Sequence, residues 1–145
     1  YGHLMRQVPD YAEKAETVSS MANDISAFLD NEGLPAPDSG AGGMTIAYHS
    51  PCTLQHGLKR AGLVEALLGR LGFQLTSIHD AHLCCGSAGS YSVLQKDLSQ
   101  QLLKRKLASL ENDQPELIAT ANIGCLLHLQ SGTGLPVKHW IELLD

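Results

Sequence analysis

The sequence predicts an α/β fold: an open, mostly parallel sheet of about four strands with flanking helices, preceded by an N-terminal amphipathic helix. From residue 44 onward, short apolar runs alternate with helical patterns. Parallel strands need a crossover, and a helix usually supplies it. The length of 145 residues suits one compact domain, and a hydrophobic content of 43% is typical of a globular chain.

Residues 9–29 are predicted as one helix that presents an apolar face. A stretch rich in Pro, Gly and Ser follows, as expected for a linker. We therefore divide the chain into an N-terminal helix (1–31), a linker (32–43) and a cysteine-containing α/β domain (44–145). Because the chain begins at Tyr1 rather than Met and enters a helical pattern at once, we interpret it as part of a longer protein. The apolar positions of the helix recur at 3–4 residue steps: Tyr11, Ala15, Val18, Ala22, Ile25 and Leu29.

The predicted elements of the α/β domain follow from periodicity and from Pro and Gly positions. The carboxyl ends of parallel strands meet at one edge of such a sheet, where sites commonly form. The predicted strands are residues 44–48, 73–78, 117–120 and 136–139. The predicted helices are residues 52–71 and 91–110, one beginning near Cys125, and a final turn at 140–144.

The four cysteines are the main chemical signal. Cys52 and Cys84 are separated by 31 residues, and Cys85 and Cys125 by 39. Each position falls where an extended segment gives way to a helix, so we expect the thiols to meet at the sheet edge. Buried apolar cysteines are one alternative, and a disulfide framework is another that nothing in the sequence supports. The sequence thus predicts a metal or cluster site.

Local backbone chemistry supports that interpretation. A helix start stabilises a thiolate, and both Cys52 and Cys125 are predicted to lie at one. Small residues such as Gly86 and Gly124 allow the backbone to approach a bulky cluster and donate N–H groups to sulfur. Thiolates ligate both zinc and iron–sulfur clusters. Zinc usually uses close Cys-x-x-Cys pairs, which are missing here.

Histidines close to the cysteines are further candidates for ligation. His128 follows Cys125 by three residues and shares its helix face. His82 precedes the cysteine pair, while His49 and His56 flank Cys52. Each could instead donate a hydrogen bond to sulfur. No residue is predicted to be catalytic.

Charge and hydropathy exclude other functions. The net charge of −5 gives no electrostatic support for binding nucleic acid. No apolar run approaches the ~20 residues needed to cross a bilayer. The basic residues 104–106 are predicted to form a solvated helix face. Free thiolates suit a reducing cytosol, so we expect the cytoplasmic side of a membrane complex.

The cysteine pattern resembles the CCG domain of heterodisulfide reductases, lactate-utilisation proteins and anaerobic glycerol-3-phosphate dehydrogenases. Longer segments are similar to the C-terminal part of glycolate oxidase iron–sulfur subunits. The similar segments are residues 49–56, 81–91, 121–132 and 136–145.

The resemblance implies an electron-transfer module that holds an iron–sulfur cluster, expected to be 4Fe-4S, through Cys52, Cys84, Cys85 and Cys125. It also implies partners: a FAD-containing subunit that oxidises glycolate to glyoxylate, and a ferredoxin-like region on the N-terminal side. The family ends its motif in Cys-x-x-Cys, where this chain has Cys125-Leu-Leu-His128. A noncubane cluster is therefore in question, whereas a four-ligand cubane, a histidine-assisted cluster and zinc stay open. The alternative function is a zinc-stabilised or metal-free docking domain of the same complex; a thiol–disulfide enzyme is a third.

Overall fold

The structure is a computed structural model that describes residues 2–33 and 43–144. The chain divides into two compact units, residues 1–34 and 35–145, which are described separately below. Most of the predicted linker at residues 32–43 lies outside the described residues. Within residues 2–33 and 43–144, no helix is long and apolar enough to cross a membrane.

The first unit contains three helices: α1 (Gly2–Met5), α2 (Pro9–Met21) and α3 (Ile25–Glu32). The prediction of one continuous helix over residues 9–29 is wrong. Ala22 has an extended backbone, and the Asp24 carboxylate accepts a hydrogen bond from the Ser26 N–H at 2.9 Å. An aspartate in this role begins a new helix rather than continuing the old one, because its side chain binds an amide at the helix start.

The second unit contains four strands: β1 (Thr45–His49), β2 (Gln74–Leu75), β3 (Leu117–Thr120) and β4 (Val137–His139). They form a parallel sheet in the order β2-β1-β3-β4, which confirms the predicted fold class. In register, His49 lies opposite Thr120, and Thr120 lies opposite His139. The Thr120 hydroxyl also donates to the His49 carbonyl at 2.9 Å. These three residues are the last of β1, β3 and β4, so the carboxyl ends of these strands are aligned.

Two predicted helices of this unit are interrupted, and one predicted strand is shorter. Lys59 and Gly62 have positive φ angles, 54° and 82°, which breaks the helix predicted over residues 52–71. Gln95 (φ −123°, ψ 53°) divides the helix predicted over residues 91–110. The strand predicted at 73–78 ends early, since the Ser77 N–H bonds to Asp113. The observed elements are a π-helical turn (Thr53–Gly57), α4 (Leu63–Arg70), α5 (Tyr91–Leu94), α6 (Lys96–Leu110), α7 (Ile123–Gln130) and a 3₁₀ turn (Trp140–Leu144).

The core of the second unit places α6 and α7 against the sheet. One cysteine, Cys85, belongs to this core, and Cys125 packs against it. Side chains in such a core are held in defined positions by close packing. The site described below therefore rests directly on the core. Its other buried members are Ala47, Leu103, Leu107, Leu110, Ile118, Leu129 and Val137.

Candidate metal centre

The carboxyl ends of β1 and β3 and the loop after β2 deliver the four cysteines. Cys52 follows the end of β1 and immediately precedes the π-helical turn. Cys125 lies in the first turn of α7, where its N–H donates to the Asn122 carboxamide oxygen at 3.1 Å. Cys84 and Cys85 lie on the connection between β2 and α5, whose residues 79–90 we call the cysteine loop.

Three donors form the centre of the site, and we call them the inner group: the buried His49 and Cys85 and the half-buried Cys125. A ring nitrogen and the two sulfur atoms lie within 4.8 Å of one another. His49 is 2% exposed and Cys85 is 1% exposed. Neither ring nitrogen of His49 has a hydrogen-bond partner of normal distance and angle. Because an unsatisfied buried polar group is costly, this imidazole is suited to coordinate a metal or to donate a hydrogen bond to a sulfur atom.

Within the inner group, the negative charge resides on Cys85. A hydrogen bond from Cys125 lowers the pKa of Cys85 to about 4, against the effect of burial, and His49 and the Ser87 N–H act in the same direction. The pKa of Cys125 is raised, first because its S–H donates to Cys85 and then because of burial.

Cys52 and Cys84, which we call the outer pair, lie nearer to solvent. Cys52 is exposed and Cys84 is half-buried. Burial raises the pKa of Cys84 and neighbouring Cys52 and Cys85 add to that effect, while the Gly86 N–H, 3.3 Å from the Cys84 sulfur, opposes it. Charge on both outer cysteines also acts on Cys125. All four thiols thus lie in one electrostatic neighbourhood, as the sequence predicts.

Gly86 allows the cysteine loop to pass close to α6. Its φ is +96°, and a β-carbon at this position would lie 2.5 Å from the Ser99 carbonyl oxygen. The Ser99 hydroxyl donates to the Gly86 carbonyl at 2.8 Å. Only glycine combines this conformation with this approach. Glycine is therefore required at position 86 for close packing, and the Gly86 N–H also donates to sulfur.

The structure separates the four candidate histidines. His49 joins the inner group. His128 places its Nε2 atom 3.2 Å from the Ser99 hydroxyl, which already donates to Gly86 and so accepts from the imidazole. His56 and His82 are exposed. In the part of the chain that the structure describes, His49 is the histidine that groups with cysteines at ligand distances.

Sequence reasoning missed two residues of α6 that support the site, Ser99 and Lys106. The prediction that residues 104–106 form a solvated face is wrong for Lys106, which is 2% exposed, while Lys104 and Arg105 are exposed. The available signal was helical spacing, because Ser99, Leu103, Lys106 and Leu110 recur every three or four residues and are all buried. A lysine and a serine within an apolar stripe indicate buried polar contacts.

Comparison with known proteins agrees with this geometry. The sequence matches the CCG family, described as "Cysteine-rich domain", over residues 46–130. That match spans more than half of the chain and contains the whole inner group. The chain therefore belongs to the CCG cysteine-rich domain family, as the resemblance of its sequence indicates.

Among curated proteins, the chain is 46% identical over its full length to the "Glycolate oxidase iron-sulfur subunit" of Escherichia coli, of which it covers 35%. It is 29% identical over its full length to "Lactate utilization protein A" of Bacillus licheniformis, of which it covers 63%. It is 28% identical, over 91% of its length, to a "Probable glycolate oxidase iron-sulfur subunit" of Bacillus subtilis, covering 30% of that protein. The chain thus spans between about a third and two-thirds of these relatives.

Proposed function

We propose that this domain holds an iron–sulfur cluster through Cys52, Cys84, Cys85 and Cys125, and that it belongs to the electron-transfer subunit of a glycolate-oxidising complex. The observation that carries the proposal is the meeting of these thiols, from three separate parts of the chain, beside the buried imidazole of His49. Four thiolates at one site are the usual ligand set of a cubane 4Fe-4S cluster.

The residues present fit such a group. Cys85 has a stabilised thiolate, and the ligand form of cysteine is the thiolate. The amides of Gly86 and Ser87 already donate to the sulfurs of Cys84 and Cys85. Hydrogen bonds of this kind tune a cluster, and His49 would supply another nitrogen toward it. When bound, the cluster would accept and release single electrons.

The wider role rests on the relatives. The 46% identity to a glycolate oxidase iron–sulfur subunit supports a complex in which a FAD-containing subunit oxidises glycolate to glyoxylate and passes electrons on. Its partners would be that flavin subunit and a ferredoxin-like region of the same polypeptide. This domain would conduct electrons without binding glycolate, on the cytoplasmic side of the membrane.

One observation favours a second candidate, a zinc-stabilised docking domain. The inner group offers two sulfurs and one imidazole nitrogen, which together with one outer thiol make a four-ligand set typical of structural zinc. A site filled in this way would stabilise the fold without transferring electrons.

Anaerobic reconstitution separates the two functions. The purified chain is incubated with iron and sulfide, and its metal content, visible absorbance and EPR spectrum after reduction are recorded. We expect a brown protein with about four irons, and loss of the absorbance in Cys84→Ala and Cys125→Ala. Zinc in the chain as isolated, with no iron uptake and an EPR-silent product, would support the docking domain and refute the electron-transfer function.

A further inference from the structure

Lys106 is a buried cation whose position the proposed cluster does not by itself explain. Its side chain is 2% exposed, although it lies on a helix whose neighbouring residues Lys104 and Arg105 are exposed. Lysine is almost never fully buried unless it is paired. The nearby Asp80 carboxylate is already engaged by Arg105 at 3.1 Å. The charge of Lys106 therefore requires another counterpart.

The ammonium group of Lys106 holds the start of the cysteine loop. Its Nζ donates to the carbonyl oxygens of Asp80 at 3.3 Å and Ala81 at 2.9 Å. The Ala81 carbonyl also accepts a long contact of 3.4 Å from Gln55. Gln55 lies on the π-helical turn that follows Cys52. Lys106 thus stands where the segments carrying Cys52 and Cys84 meet.

The thiols supply the missing counterpart. Burial lowers the pKa of Lys106, and negative charge at Cys85 and Cys52 raises it again, ahead of the contribution from Asp80. A buried charge is tolerated when an opposite charge compensates it. Thiolates around a metal provide such a charge, since four of them outweigh the charge of a divalent ion.

We propose that Lys106 is a positioning residue of the metal centre, which holds the loop ahead of Cys84 and compensates the negative charge of the thiolate ligands. This inference rests on the proposed metal-binding function. A positive charge close to the centre stabilises its more negative, reduced state, so it raises the midpoint potential. It also stabilises any net negative metal–thiolate complex against the metal-free thiols.

The test compares Lys106→Met, Lys106→Gln and Lys106→Arg with Lys104→Met as the matched control on the same helix. Methionine keeps the length without charge, glutamine keeps an N–H donor, and arginine keeps the charge. Two quantities are measured on the full chain: the midpoint potential of the reconstituted cluster and the affinity of the metal-free chain for Co²⁺. Circular dichroism confirms folding of each variant.

We expect a more negative midpoint potential and about tenfold weaker Co²⁺ binding in Lys106→Met and Lys106→Gln, with Lys106→Arg nearer to wild type and Lys104→Met unchanged. Wild-type values in Lys106→Gln would overturn the role of the charge, as would equal shifts in Lys104→Met. If Lys106→Met fails to fold, the comparison of Lys106→Gln with Lys106→Arg still tests the role of the charge. A wild-type chain that takes up neither iron nor Co²⁺ refutes the proposed function, and this inference with it.

Discussion

The inner group and the outer pair differ in how the protein holds them. Cys85 and His49 are buried, at the core and at the end of a central strand, and Cys125 is anchored by the capped start of α7. Cys52 is exposed, and Cys84 is half-buried on a loop. The inner group therefore has its positions fixed by packing, whereas the outer pair depends on a short turn and on loop contacts.

Charge distinguishes Cys85 from the other thiols with a shifted pKa. The pKa of Cys85 is lowered to about 4, while the pKa of Cys84 is raised. The preformed thiolate at Cys85 and the buried imidazole of His49 indicate an order of assembly, in which metal first binds the inner group. Metal binding must release the protons of Cys125 and Cys84, whose pKa values are raised, so completion of the site depends on pH.

The largest expected effect comes from removing the preformed thiolate. Cys85→Ala should weaken Co²⁺ binding roughly a hundredfold, because one of four ligands accounts for a few kcal/mol of the ~10–16 kcal/mol of structural metal binding. Cys52→Ala should weaken it less, roughly tenfold, since solvent or a neighbouring donor can replace an exposed ligand. Competition with a chromophoric chelator measures both. Equal losses would remove the distinction between inner and outer ligands.

A glycine substitution tests how strictly the loop is positioned. Gly86→Ala should destabilise the fold by about 3 kcal/mol or more, because it combines a left-handed residue with a β-carbon 2.5 Å from the Ser99 carbonyl oxygen. The matched control is Gly89→Ala, which has a positive φ but open space around the new β-carbon, and should cost about 1–2 kcal/mol. Urea unfolding of the two variants gives the comparison. Equal costs would show that the loop can move away from α6.

The inner pair should also give the metal-free chain a characteristic pH dependence of stability. The folded-state pKa of Cys85, about 4, lies below its ordinary value of 9.0. Between these values the unfolded chain binds one more proton at Cys85, so stability rises with pH from about 4 to 9. Above pH 9 the trend reverses, because the raised pKa of Cys125 keeps a proton that the unfolded chain loses.

Chemical denaturation of the EDTA-treated, reduced chain at several pH values measures this dependence. The variant Cys85→Ala should lose the rise with pH, while Cys52→Ala should retain it. A slope that survives in Cys85→Ala would assign the titration to another group.

A smaller effect is expected from the serine that holds the loop. Ser99→Ala removes a buried hydroxyl that donates to the Gly86 carbonyl and leaves both that carbonyl and His128 without this partner, at a cost of about 1–3 kcal/mol. Ser92→Ala is the control, since its hydroxyl makes an exposed contact to Gly89. Denaturant unfolding and amide exchange across the cysteine loop should change only in Ser99→Ala. Unchanged exchange would show that the loop is held by other contacts.

The sequence was sufficient to predict the sheet, its parallel strands and the convergence of the cysteines, because these follow from apolar runs and strand-to-helix junctions. It did not predict the breaks at Asp24, Lys59 and Gln95, where local capping or single-residue backbone angles override helical periodicity. The sharing of charge between Cys85 and Cys125 depends on side-chain proximity in three dimensions. No sequence pattern specifies that proximity.

Nitrogen couplings in pulsed EPR of the reduced, iron-loaded chain test most directly whether the inner group contacts the bound cluster. Wild type, His49→Ala and His128→Ala are compared at equal iron content. We predict a histidine nitrogen coupling, transmitted through a hydrogen bond from His49 to the sulfur of Cys85, that is lost in His49→Ala and retained in His128→Ala, since His128 bonds to Ser99 rather than grouping with the cysteines. A spectrum without such a coupling, or one that His49→Ala leaves unchanged, would contradict the account.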